Sequence, residues 1–164
     1  MKILVATATP TNPLLNALKA GFLRTTGVTS VSIDLDSFWD LQLSFELLHL
    51  HWPEGLFSWA EPNHEQLQRA DDALRRWSEQ ATIVTTVHNR YPHYRDTALF
   101  RDLYRLVYQR SDGVIHLGET SERQFAEWYP ELRSKPQAVI PQPVFSTVPN
   151  EISPRDARSQ LDLP

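Results

Sequence analysis

Short apolar runs alternate with stretches of helical period along this chain. KILVATA (Lys2–Ala8), SVSIDL (Ser30–Leu35), ELLHLH (Glu46–His51), TIVTTV (Thr82–Val87), GVIHLG (Gly113–Gly118) and QAVIP (Gln137–Pro141) predict six strands. Most carry apolar or β-branched residues on both faces, as parallel strands enclosed between helices do.

The intervening segments carry helix starts. Asn12 before Pro13 predicts a capped start, with Leu14, Leu18 and Phe22 on one side and Gly27 as the stop. Asn63 and Gln66 have the spacing of a capping box, and Leu67, Ala70, Leu74, Trp77 and Ala81 continue the stripe. Thr97 opens a third helix, with Leu99, Leu103, Leu106 and Val107 inward and Arg101, Arg105 and Arg110 mostly outward. Ser121 with Gln124 is read as the start of a fourth, which carries Phe125, Trp128 and Tyr129. Ser153-Pro154 begins a last short helix.

This alternation predicts an α/β fold, a mostly parallel sheet of about six strands with helices on both faces. Ligands of such sheets sit beyond the carboxyl ends of the strands, above all at the topological switch point. Three chemically rich stretches fall on that rim: Thr9–Asn12, His51–Gly55 and His88–His93.

Composition narrows the choices. A chain of 164 residues with 41% hydrophobic and 22% charged residues supports one full core but not comfortably two. A net charge of −4 gives no chain-wide basic footprint, so nucleic acid is not an expected partner. The chain has no cysteine, which removes disulfides, thiolate metal sites and a cysteine nucleophile, and fits a reducing compartment. MKILVATAT is too short to span a membrane and lacks a signal-peptide cleavage pattern, so the expected location is cytoplasmic.

Several chemistries compete for the rim. His49 and His51 share a strand face, and His88 and His93 lie nearby, so three imidazoles could meet at a zinc ion. No HExxH and no close carboxylate accompanies them, and no metal is expected. The first loop, TATPTNP, has no glycine and therefore none of the usual phosphate-loop patterns. Thr9, Thr11 and Asn12 still offer hydroxyls and an amide at a helix start, either to a polar group or simply as a cap. No G-x-S-x-G elbow is present. From His88 to Arg110 five arginines face two aspartates among four tyrosines. That segment is read either as a surface for phosphates or anionic lipid, or as a solvated helix face with local ion pairs. Finally, Trp52 and Tyr91 can stack on sugar faces while His51, His88, Asn89 and His93 bond hydroxyls.

These pieces, NPLLNALKAG, ELLHLHWPE, TVHNRYPH, LYRLVYQRSDGVIHLGETS, VIPQPV and the closing SPRDARSQLDLP, come in an order that resembles a known family. Over nearly its whole length the chain is similar to the N-terminal, acceptor-side half of a GT-B glycosyltransferase of the group 1 or family 4 type. The resemblance implies a Rossmann-like domain over residues 1–145, then a linker and short helix over 146–164 leading to a donor-binding domain that this chain lacks. It implies transfer of a sugar from a nucleotide-sugar co-substrate to a hydroxyl of a polysaccharide or lipid-linked acceptor, with no other cofactor; the family 4 type retains configuration, whereas inversion would need a base in this domain, for which Asp36, His51 and Glu54 are candidates. It leaves room for contact with the inner face of a membrane. His88 matches the histidine that contacts the donor sugar, and Asn12 lies in the loop facing donor phosphates and acceptor. That loop reads Thr-Asn-Pro where the family has a glycine pair. His51, Trp52, Asn89 and His93 match the acceptor side. Without its donor domain the chain is expected to be inactive. The competing reading is a freestanding, non-catalytic module that recruits a separate catalytic subunit.

Overall fold

Six strands form one sheet in the order β2-β1-β3-β4-β5-β6, in a computed structural model that describes residues 1–142 and 151–163. They are β1 (Lys2–Ala6), β2 (Ser30–Ile33), β3 (Leu47–Leu50), β4 (Thr82–Val87), β5 (Gly113–His116) and β6 (Gln137–Val139). All neighbouring pairs are parallel. The helices are α1 (Pro13–Leu23), α2 (Asp36–Trp39), α3 (His64–Trp77), α4 (Ala98–Arg110), α5 (Glu119–Trp128) and α6 (Pro154–Gln160). The architecture is the expected Rossmann-like α/β domain. The expected linker from Ser146 lies largely outside the described residues, and α6 beyond it buries none of its side chains.

Strand alternation divides the core. Leu4, Leu48, Leu50 and Ile83 face α3 and α4, where Leu74, Trp77, Phe100, Leu103 and Val107 complete the largest cluster. Val87 and Val114 continue that face beneath Tyr104, Tyr108, Phe125 and Tyr129. On the opposite face Ile3, Val5 and Val31 meet Leu15, Leu18 and Phe22 of α1. Among the described residues, α1 is the helix packed on this second face. It covers β1 and β2 and leaves the side toward β4–β6 less filled.

Local chemistry sets most boundaries. Asn12 Oδ1 accepts from Leu14 N at 2.9 Å ahead of Pro13, as expected. Asn63 and Gln66 form both arms of the capping box, each at 2.8 Å. Thr97 caps α4 through Phe100 N, and Ser153 caps α6 through Asp156 N. Gly27 takes φ 88°, which ends the turn after α1 at little steric cost. β1 stops at Ala6, two residues short of the expected Ala8. Thr9 N donates to Thr7 Oγ1 at 3.1 Å and turns the chain away from the sheet.

One local reading is corrected, and one short helix is added. The helix expected from Ser121 begins at Glu119, with extended Gly118 as its N-cap, and Ser121 Oγ lies 3.4 Å from His116 Nδ1 instead. The short α2 has no apolar period. Asp34 Oδ1, which accepts from Ser37 N at 2.7 Å, holds its first turn.

Candidate functional site

The sequence runs from β1 to β2 on one side, then crosses to β3 on the other, so the switch point lies between the carboxyl ends of β1 and β3. The register aligns Ala6 with Leu50, Leu50 with Thr85 and Val87 with His116. Thr7 and His51 therefore leave the sheet side by side, and His88 follows one strand further along. Among the sequence candidates, the fold brings His51, Trp52 and His88 together.

These three rings stack across the rim. His51 Nδ1 and His88 Nε2 lie 3.0 Å apart and share one proton. Trp52 lies over His88 with ring centroids 4.4 Å apart and an interplanar angle of 24°. His49, one strand pleat below His51, stacks against it at 4.4 Å, and its Nε2 is 2.9 Å from Thr86 Oγ1. Trp59 closes the far side of Trp52 at 5.9 Å. Ser58 and Trp59 have left-handed backbones (φ 52° and 69°). This strained corner is clamped by Glu54 O accepting from Trp59 N and by Tyr94 Oη donating to Trp59 O.

Burial decides the charge state of the cluster. It lowers His49 to about 4, with a smaller contribution from the charge of His88. His88 is also lowered to about 4 by burial. His51 is held well below its ordinary value, again by burial first and by its two neighbours second. At neutral pH all three are uncharged imidazoles, each able to donate at one nitrogen and accept at the other. Among the described residues, the buried His51 Nε2 and Trp59 Nε1 meet no hydrogen-bond partner.

Beside the cluster, between α1 and the outer strands, opens a cavity of about 230 Å³. Leu14, Leu18 and Phe22 of α1 form one wall, and Ile115, Leu117 and Ile140 the other. His49, His51, Thr86 and His88 border its floor, chiefly through carbon atoms. Among the described residues, no group of three histidine or carboxylate side chains is arranged to hold a metal ion. The chain matches no known family model and no curated protein.

The remaining candidates lie apart from this cluster. Asn12 Oδ1 is occupied as the α1 cap, and Thr11 is exposed at the loop tip. Asn89 is half-buried, and its carbonyl accepts from Tyr108 Oη. Tyr91 turns toward α4, where it meets Tyr104 edge-on and lies under Arg90 and Arg101. His93 is exposed and lies on the Glu54 side of the rim. The rim loop after β4 thus splits, with His88 facing the α1 side and Tyr91 the α4 side.

Sequence reasoning gave Glu54 only a passing role. It is buried, Tyr104 Oη donates to its Oε2 at 2.6 Å, and burial raises its carboxyl above the ordinary value. It closes the 3₁₀ turn Pro53–Phe57 onto α4. The signal was present in WPEG, where a proline and an acid open a turn directly after a strand. Four arginines of the basic segment meet carboxylates, one locally (Arg101 with Asp96) and three across elements (Arg95 with Glu61, Arg105 with Glu131, Arg110 with Asp71), while Arg90 lies over Tyr91 and Trp128. No helix among the described residues is long and apolar enough to cross a membrane.

Proposed function

We propose that this domain is the acceptor-side half of a GT-B-type glycosyltransferase, working with a second Rossmann-like domain that holds the nucleotide-sugar. The observation that carries the reading is the pairing of His88 with His51 under Trp52, at the carboxyl ends of adjacent central strands and next to the switch point. A neutral imidazole there donates to or accepts from a sugar hydroxyl without introducing charge. Trp52 braces the His88 ring, and the bond from His51 sets which His88 nitrogen carries the proton. In this role His88 contacts the donor sugar, and His51 and Trp52 border the acceptor. Thr11, Asn12 and Asn89 stand further out on the same rim, where a larger substrate reaches them.

The test joins this chain to its donor-binding domain, whether on the same polypeptide or a separate one, and follows nucleoside diphosphate release from a panel of nucleotide-sugars. His88→Ala is expected to lower turnover by about 100-fold or more, the usual loss when one preorganised hydrogen-bond donor is removed. Release from none of the nucleotide-sugars, or unchanged turnover in His88→Ala, overturns the proposal. Release that needs the chain but is indifferent to His88 supports a recruiting module instead.

A further inference from the structure

On the α4 side of the rim, a second cavity of about 210 Å³ lies between the loop after β4, the first turns of α4 and the end of α5. Arg90, Arg101 and Arg105 border it together with a single acid, Asp102. Three guanidinium groups around one small space repel one another, and an anion between them turns that repulsion into attraction. Aromatic rings hold two of these cations in place. The Arg90 guanidinium carbon lies 5.0 Å from the centre of Tyr91 and 5.7 Å from that of Trp128, and Arg101 lies 5.6 Å from Tyr91. Tyr91 is itself fixed edge-on against buried Tyr104, and Tyr129 Oη donates to Arg90 O at 3.4 Å. A ring face attracts a guanidinium without using its N–H groups, which stay available to an oxyanion.

Those N–H groups are far from fully engaged. Arg101 donates from Nε and Nη2 to Asp96 at 2.7 and 2.8 Å, which leaves Nη1 without a partner among the described residues. Arg105 Nε stands 3.6 Å from Glu131 Oε1, longer than a hydrogen bond. Arg90 forms no ion pair among the described residues, although Arg95, Arg101, Arg105 and Arg110 of the same segment each meet a carboxylate. Asp96 feels the charge of Arg90 but gives both its oxygens to Arg101.

We infer that this cavity binds a phosphate group, with Arg90 as its main contact and Arg101 and Arg105 on the flanking wall. A phosphate carries up to two negative charges and several acceptor oxygens, so it meets more than one arginine at once, where a carboxylate offers one charge and two oxygens. The space is larger than the about 150 Å³ in which an engineered cavity admits benzene, so the phosphate enters with a few atoms of whatever carries it. A soluble phosphate ester and a phospholipid headgroup present the same chemistry to these arginines. The inference does not rest on the transferase reading, since none of His51, Trp52 and His88 borders this cavity.

The experiment uses the 164-residue chain at constant ionic strength, with inorganic phosphate, glycerol 3-phosphate and acetate as probes. Proton–nitrogen NMR reads the Nε–H signals of the arginines and the indole N–H of Trp128. Both phosphates are expected to shift these signals saturably with a Kd of about 1 mM, and acetate to bind at least about tenfold more weakly. Arg90→Gln is expected to weaken phosphate by at least about tenfold, the equivalent of one charged hydrogen bond. Arg95→Gln removes the same charge from the same loop but outside the cavity, and is expected to leave the affinity within about twofold. Asp102→Asn takes away the acid in the lining and is expected to strengthen phosphate by about two- to fivefold. All three side chains are exposed, so the fold tolerates the exchanges. Cosedimentation with vesicles of phosphatidylcholine and phosphatidic acid in equal parts, against phosphatidylcholine alone, separates the two sources. Binding that requires phosphatidic acid and is lost in Arg90→Gln supports a lipid headgroup. Saturable binding of the soluble probes without cosedimentation supports a soluble ester. Acetate equal to phosphate, an Arg95→Gln loss equal to that of Arg90→Gln, or the absence of both Arg90-dependent cosedimentation and saturation up to about 100 mM phosphate overturns the inference.

Discussion

Lowering the pH from 7.5 to 4 is expected to remove a large part of this domain's stability, because its imidazole cluster is buried uncharged. His49 drops from an ordinary 6.5 to about 4, and His88 does the same. Between those values the unfolded chain binds protons that the folded chain refuses, so stability falls as the pH falls through that window and levels off below about 4. At about 1.4 kcal/mol per pH unit, each ring contributes about 3 kcal/mol, and the two together about 6 kcal/mol. His51, also depressed, adds to the loss in the same direction. Against a total stability of about 5–15 kcal/mol for a domain of this kind, that is enough to bring the protein close to unfolding. Urea titrations followed by circular dichroism at pH 7.5, 6.5, 5.5 and 4.5 measure it. The midpoint is expected to fall steeply below pH 6.5 at an unchanged slope with urea concentration. His49→Met removes one of the three titrating rings while filling its space and should flatten the curve by about a third to a half. A midpoint constant from pH 7.5 to 4.5, or the same decline in His49→Met, would refute the burial argument.

Two further outcomes test the frame around the site. Tyr104→Phe takes the donor away from buried Glu54 Oε2 and is expected to cost about 1–3 kcal/mol, read by urea unfolding. Glu54→Gln in the same background should cost less than in the wild type, since the two groups share one bond. Asn63→Ala opens the capping box of α3 and is expected to lose about 1 kcal/mol with no change in the phosphate-induced shifts at Arg90.

Much of this architecture is legible in local sequence because its causes are local. The apolar β-branched runs give six strands in the places expected, and the caps at Asn12, Asn63, Thr97 and Ser153 need only neighbours two or three residues away. Only the start of α5 was misplaced, by two residues, because its N-cap is a glycine without a side-chain signal; α2 escaped because an aspartate outside it holds its first turn. His51, Trp52 and His88 are recognisable as rim residues because each follows directly on a strand.

What local sequence leaves open is which rim residues meet. His51 and His88 are 37 positions apart, and their contact depends on the β3–β4 register that pairs Leu50 with Thr85. Tyr91 and His93, only three and five residues beyond His88, turn to the other side of the sheet, where Tyr104 of α4 and Glu54 of the Pro53–Phe57 turn lie. Arg95, Arg105 and Arg110 of that segment are met by Glu61, Glu131 and Asp71, which arrive from other elements. Among the described residues, the cavity beside His51 lies where α1 leaves its face of the sheet uncovered. The residue pattern therefore specified the elements and the rim, through interactions spanning one turn or one strand. Tertiary packing alone decided the imidazole stack, its neutrality and the apolar chamber beside it, because burial and ring-to-ring distance depend on groups far apart in the chain.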